Sequence, residues 1–373
     1  MIEVLLVSKP ITPPWNDSGK NLVRDLIRHC PDMALHVLTT PGTTFDLDHV
    51  TAETVYGATG RFAPGLVQNA RVLLRLLRPD RQSIYHFFFA PNPRTSSMAR
   101  RVTTLKRRTT VQTVMSVPAS FENVERLIFA DRVVTLSEHT TQQLAAAGVP
   151  GLVHIPPGID PPPPLTDGER ARARQELGLP LDRPVVVFPG DYEFSQAAHT
   201  LAEAIPRVLE HVDATFVYAC RMKREASRAS GEEIQRRLAP QAERGRVLFL
   251  GETRRIRELL SCADLVILPS ESTYAKMDIP LVLLEALAEH TPILVADVAP
   301  LNEVLGTAAH APPSPVGRAV APLDPQALAD GIGELISAPD DLGAMGTAGA
   351  AWVNERFHAR SMGAAHVDLY RSL

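Results

Sequence analysis

From Met1 to Ile336 short β-rich apolar runs alternate with stretches of helical period, and one run breaks the alternation, PPGIDPPPPLTDGER from Pro156 to Arg170. Strand–helix alternation builds a parallel sheet covered by helices on both faces. Four consecutive prolines exclude helix and central strand and stiffen a spacer. The chain therefore reads as two α/β halves with a boundary at that run. Strands are predicted at Glu3–Ser8, Ala34–Thr39, Ser83–Ala90, Thr109–Met115, Arg132–Leu136 and Leu152–Pro156 in the first half. The second half carries Pro184–Phe188, Ala214–Cys220, Arg246–Leu250, Asp264–Leu268 and Pro292–Ala296. Two fragments, FADRVVTLSEHT from Phe129 and SCADLVILPSES from Ser261, echo each other across the halves. Each runs from a helix end through Ala-Asp and a buried strand to a polar turn, which suggests two similarly built doubly wound domains facing each other. Ligands of such domains bind at the carboxyl ends of the strands.

A length of 373 residues suits two domains. The longest apolar runs are strand-sized, so no bilayer-spanning helix is expected. Met1–Lys9 lacks the basic start, apolar stretch and cleavage site of a signal peptide and reads as a buried strand. Cys30, Cys220 and Cys262 are odd in number and widely spaced, which fits core thiols in a reducing cytoplasm. Charge is −4 overall, yet between Ala58 and Thr110 eleven basic residues meet one acid, Asp80. Such a patch suits an anionic partner. It has neither interleaved aromatics nor a nucleic-acid motif, so nucleic acid is not expected.

Candidate chemistry gathers in a few loops. Pro10–Asn21 leaves the first strand and enters a helix near Gly19, where backbone N–H groups and Lys20 could hold an anion; the alternative is a tight turn capped by Asp17 or Ser18. In Tyr274–Asp297 a polar turn with Lys276 and Asp278 precedes an apolar helix bearing one acid, Glu285. A carboxylate so placed suits sugar or ribose hydroxyls; the alternative is a solvated Glu285 and a Lys276–Asp278 surface pair. The D-x-D string Asp46–Asp48 lies in a polar loop and is read as surface, so no metal is assigned. His86 is either a hydroxyl-recognising group at a strand end or a satisfied core histidine. Leu66–Arg78, with Arg71, Arg75 and Arg78 beside leucines, is either a packed helix with a wet basic face or an anionic-membrane contact.

Several pieces together resemble the retaining glycosyltransferases of family 4. They are Pro156-Pro157-Gly158-Ile159-Asp160, Phe249-Leu250-Gly251, the strand Ala263–Ser270 and Glu285-Ala286-Leu287-Ala288, followed by Thr291-Pro292-Ile293-Leu294. Pro300–Val304 and Val320–Ala329 match the family's tail. The resemblance implies the GT-B architecture, two Rossmann-like domains facing across a cleft. It places an acceptor-side domain at 1–162, a nucleotide-sugar domain at 163–355, and a terminal helix at 356–373 packing back on the first domain. It also implies metal-independent transfer of a sugar from a nucleotide diphosphate sugar to a hydroxyl acceptor with retention, without a cofactor.

The departures are equally specific. Met277 stands where the Glu-x7-Glu motif has its first glutamate, Asp191 and Gln196 where donor-holding cations are usual, and Met115 where a histidine is usual. Replacement cations are expected in Arg221 and Lys223, after the strand Ala214–Cys220, and in Lys276. The expected donor site is Gly19, Lys20, Gly190, Arg221, Lys223, Gly251 and Glu285; the expected catalytic set is Lys276, Asp278, Glu285 and His86. The alternatives are a non-catalytic GT-B subunit, a sugar-nucleotide epimerase and a phosphorylase. The expected location is cytoplasmic or peripheral on the inner membrane face.

Overall fold

The structure, a computed structural model, describes residues 1–57, 65–88, 93–118, 120–222 and 225–373. It divides into two compact units. The first comprises Met1–Asp160, Tyr274–Asp278 and Phe357–Leu373, the second Pro161–Thr273 and Ile279–Arg356.

The first unit is built on a seven-stranded sheet: β1 Ile2–Ser8, β2 Met33–Thr39, β3 Val50–Thr54, β4 Ile84–Phe88, β5 Thr109–Val114, β6 Arg132–Thr135 and β7 Leu152–His154. Their spatial order is β3-β2-β1-β4-β5-β6-β7 and every pairing is parallel. Helices α1 Ser18–Arg28, α2 Leu66–Leu77, α3 Pro93–Lys106 and α4 Glu138–Ala146 make the crossovers. The second unit has β8 Val185–Phe188, β9 Thr215–Tyr218, β10 Val247–Phe249, β11 Leu265–Leu268, β12 Ile293–Ala296 and β13 Gly317–Val320 in the parallel order β10-β9-β8-β11-β12-β13. Its helices are α5 Asp167–Glu176, α6 Ala197–Leu209, α7 Glu225–Arg237, α8 Ala239–Glu243, α9 Ile256–Ser261, α10 Leu281–Ala288, α11 Pro325–Ile336 and α12 Pro339–Arg356. In both sheets the order reverses beside the first strand, between β1 and β4 and between β8 and β11. A doubly wound sheet presents its ligand crevice at such a reversal.

The central strands read as apolar runs because both of their faces are covered: every residue of β4, β8, β11 and β12 is buried. The echo between the halves has a physical basis. Asp131, just before β6, accepts the Thr110 N–H at 2.8 Å, and Asp264, just before β11, accepts the Val185 N–H at 2.7 Å. Each carboxylate thus ties the start of its own strand to that of a neighbouring one.

The last helix, α13 Ala359–Arg371, belongs to the first unit and lies against α1. A Cβ on Gly363 would lie 2.4 Å from the His29 carbonyl oxygen, so only glycine permits that approach. Two expectations about local structure change. Helix α5 begins inside the stretch read as spacer, because Thr166 and Glu169 form a reciprocal capping box. Strands β3 and β13 were missing from the sequence reading, because both are short edge strands without a fully buried apolar run.

Candidate functional site

In the second unit the chemistry-bearing residues follow the carboxyl ends of the strands. Gly190 and Asp191 follow β8, Arg221 follows β9, Gly251 follows β10, and Ser270 and Glu271 follow β11. The structure brings the first and second of these loops together, with Asp191 in a parallel bridge to Arg221. Gly190 is needed sterically, since a Cβ there would lie 2.1 Å from the buried Phe188 ring. Gly251 takes a positive φ of 65° and turns the chain after β10. Lys223 lies outside the described residues.

Two helix starts in this unit contrast in charge. In the turn before α6, the Asp191 carboxylate accepts the N–H groups of Glu193 and Phe194 at 2.9 and 2.7 Å. The Glu271 carboxylate spans the Gln196 N–H with both oxygens, at 2.9 and 3.0 Å. Ser195 and Ser270 hydroxyls meet at 3.2 Å and hold the two loops in register. The N-cap N–H of α6 is thus supplied with an anionic acceptor, Glu271, although the N-cap side chain itself makes no capping bond. Helix α10 differs: Pro280 precedes it and no side chain caps it. Its start, where Pro280 and Leu281 are buried, carries the partial positive charge of a helix N-terminus. Glu285 sits one turn further along α10, half-buried between buried Leu284 and Ala286. Sequence reasoning missed Glu271; its place directly after the Ala263–Ser270 segment was the available signal.

In the first unit, Gly19, Met115, Ser137 and Asp278 come together at the carboxyl ends of β1, β5 and β6. A Cβ on Gly19 would lie 3.3 Å from the Met115 sulfur. The Asp278 N–H donates to the Met115 carbonyl at 3.0 Å, and the Ser137 hydroxyl donates to the Asp278 carboxylate at 2.8 Å. Asp278 is fully buried, which removes the surface-pair reading for it. Lys276 lies in the same Tyr274–Asp278 turn and is half-buried.

The loop after β1 is a capped turn. Asp17 accepts the Lys20 N–H at 3.1 Å and pairs with the Lys9 ammonium at 2.9 Å. The Lys20 ammonium donates to the Pro14 carbonyl at 2.9 Å and lies over the Trp15 ring. Burial lowers the Lys20 pKa, with Lys9 acting the same way and Asp17 opposing.

His86 requires a correction. It has no solvent exposure, and its ring nitrogens meet the Tyr370 hydroxyl at 2.6 Å and the Thr113 hydroxyl at 2.7 Å. Burial, reinforced by neighbouring His366, holds its pKa well below the usual range. A neutral, enclosed imidazole fastening α13 to β4 and β5 does not reach an acceptor hydroxyl. The end of the segment that suggested its role, Phe89–Asn92, lies outside the described residues. Asp46 and Asp48 are exposed.

Comparison with known proteins places this geometry. Residues 183–338 match the family described as Glycosyl transferases group 1.

The chain is 30% identical over 223 residues to the D-inositol 3-phosphate glycosyltransferase of Xylanimonas cellulosilytica, covering 58% of this chain and 50% of that protein. It is 30% identical over 258 residues to the GDP-mannose-dependent alpha-(1-6)-phosphatidylinositol monomannoside mannosyltransferase of Mycolicibacterium smegmatis, covering 64% and 62%. The chain spans about half the length of the first of these curated relatives. In fold it is similar to Anabaena Alr3699/HepE, solved in complex with UDP and glucose, with a TM-score of 0.77 at 18% identity and full coverage of both chains. The architecture is GT-B, and the matched residues 183–338 include the starts of both α6 and α10.

Proposed function

We propose that the chain transfers a sugar from a nucleotide diphosphate sugar to a hydroxyl acceptor, with retention and without a metal step. The observation that carries this reading is the uncapped start of α10, inside the group 1 domain, with Glu285 one turn along it. The helix end offers N–H groups and partial positive charge to a diphosphate, and Glu285 accepts from ribose or sugar hydroxyls. Arg221 and Lys276 supply full positive charge as the leaving group develops. The bond from the sugar's anomeric carbon to the diphosphate oxygen breaks, and its electron pair stays on the diphosphate. The acceptor oxygen bonds to the anomeric carbon on the same face and passes its proton to a departing phosphate oxygen. Asp278, fastened by Ser137, positions the Lys276 turn. The acceptor side is assigned to the first unit, which also rests on the inner face of an anionic membrane through Leu66–Arg78.

A second reading, a non-catalytic subunit, draws on Asp191 and Glu271, whose carboxylates occupy N–H groups of the turn before α6 and of its N-cap Gln196. Calorimetric titration with UDP, GDP, ADP, TDP and their sugars separates the two. Donor binding is expected, and Arg221→Gln and Lys276→Gln are each expected to weaken it by about tenfold or more, the scale of a charge-assisted hydrogen bond. Absence of binding by every nucleotide, or unchanged affinity in both variants, would overturn the first reading. Phosphate-dependent turnover or isomerised donor without acceptor would instead reveal a phosphorylase or an epimerase.

A further inference from the structure

The chain has two tryptophans, and they are used differently. Trp352 is 4% exposed and donates its N–H to the Val304 carbonyl at 3.1 Å, as a core indole does. Trp15 stands in the loop that leaves β1, half-buried between exposed Pro14 and exposed Asn16. Two cations hold it: the Lys20 ammonium lies over its ring at 5.7 Å from the centroid and the Arg24 guanidinium at 5.3 Å. Arg24 is itself fixed, its Nε and Nη2 donating to the two oxygens of the buried Asp25 carboxylate at 2.6 and 3.0 Å. Positions 20 and 24 stand on one face of α1. Both cations therefore reach the indole from the helix side, and the exposed part of the ring lies away from α1.

The loop that carries Trp15 is braced at both ends. The Ile11 N–H donates to the Leu38 carbonyl at 3.1 Å, and the Thr12 hydroxyl meets those of Thr43 and Thr40 at 2.7 and 3.2 Å. These bonds tie the loop after β1 to the end of β2 and the turn beyond it. At the other end Asp17 caps α1 and pairs with Lys9. Between them the Asn21 amide donates to the Trp15 carbonyl at 3.4 Å. A flat face held this way is preorganised, and a ligand that uses it has little ordering left to do. Its place in the fold is also specific. Strand β1 borders the reversal of strand order, where a doubly wound sheet opens its crevice, and Gly19, four residues beyond Trp15, approaches Met115 after β5.

We propose that Trp15 is the stacking platform for the acceptor, and that the acceptor presents a hydroxylated six-membered ring, a pyranose or a cyclitol. This rests on the glycosyl-transfer reading above and names the acceptor class within it. The C–H bonds along one side of such a ring carry partial positive charge, and the face of an indole is negative. The two surfaces are flat and of similar width, so they stack while the ring hydroxyls stay at the rim. An acceptor with its hydroxyl on an open chain gains little from a flat face. A nucleobase stacks on an aromatic ring as well, so the test includes nucleotide alone.

Trp352→Phe leaves Trp15 as the sole tryptophan of the full chain. Titration of that variant with myo-inositol, methyl α-glucopyranoside and methyl α-mannopyranoside, each with UDP or GDP present, is expected to change Trp15 emission saturably with at least one of them. A response confined to myo-inositol, or confined to the glycosides, supports the proposal and names the ring. In calorimetry, Trp15→Leu should weaken binding of that ring by about tenfold, and Trp15→Tyr, which keeps a flat face, by about threefold or less. Thermal midpoint and nucleotide affinity should be unchanged in both variants, which a merely structural role for the indole would not allow. Emission that none of the rings changes, whether or not nucleotide alone changes it, would overturn the proposal, as would equal ring affinity in Trp15→Leu. Nucleotide binding without a ring response strikes only this inference. Ring binding without nucleotide binding strikes the glycosyl-transfer reading and leaves Trp15 as a ring-binding platform.

Discussion

In the first unit ionisable groups run through the interior: Asp25, Arg75, His86, Asp278 and His366 are all buried. In the second unit β8, β11 and β12 present an almost entirely aliphatic interior, and among the described residues Glu289, bonded to Arg257 and Ser261, is its one buried acidic or basic side chain. The strand order around the crevice is the same in both. Topology thus fixes where a ligand crevice opens and leaves the means of stabilisation to the residues. A polar interior holds its geometry by partners that must all be present and correctly ionised; an aliphatic one depends on volume. The two should therefore fail under different stresses.

The chain carries its own reporters, because Trp15 lies in the first unit and Trp352 in the second. Trp15→Phe or Trp352→Phe lets fluorescence follow each unit's unfolding by itself. The largest effect is expected from Arg75→Met, which leaves Glu53 and Asp80 without their shared guanidinium. Breaking a buried ion pair from one side costs about 3–5 kcal/mol. Denaturant titration should show that loss in the Trp15 transition; an equal shift at Trp352 would dissolve the contrast.

Acid comes next. Burial is the main cause that lowers the His366 pKa to about 4, so the folded chain refuses a proton that the unfolded chain accepts below about 6.5. Stability is present above pH 6.5 and is lost as pH falls toward 4, by about 3 kcal/mol across that window. His86, lowered in the same direction, adds to the loss. Burial would raise the Glu53 carboxyl, but bonds from Arg75 and His36 outweigh it and bring its pKa down to about 2. The stability it contributes is therefore present above pH 4.5 and lost as pH falls toward 2. The Trp15 transition should follow these windows, and His366→Phe should flatten the upper one. A flat wild-type profile would refute the account.

Steric effects should dominate the second unit. Gly190→Ala forces a methyl against Phe188 and is expected to cost about 1–3 kcal/mol at Trp352, with little pH dependence. The smallest effect, about 1 kcal/mol, is expected from Asp324→Ala, which removes the carboxylate accepting the N–H groups of Gln326 and Ala327 at the start of α11.

The central strands were legible because two-sided burial writes a continuous apolar run, and the edge strands β7 and β10 were legible from short apolar runs of their own. Edge strands β3 and β13 carry no such run. The α5 start was legible in Thr166 and Glu169, yet the neighbouring prolines masked it. Partnerships over long separations were not legible at all. His86 meets Tyr370 from 284 positions away, and Ser137 meets Asp278 from 141. Local pattern could place His86 on a strand but could not say that a distant helix would enclose it. Glu271 illustrates the same limit at shorter range: its carboxylate answers the Gln196 N–H across 75 residues.

The placement of α13 carries a consequence for synthesis. The sheet of the first unit is translated before the second unit, but the helix that closes over His86 is translated after it. Domains generally mature in the order in which they leave the ribosome. Here that order can reverse: the later-made unit can finish while the earlier-made one waits, one side of its sheet still lacking the helix that encloses His86, for α13 to come back to it.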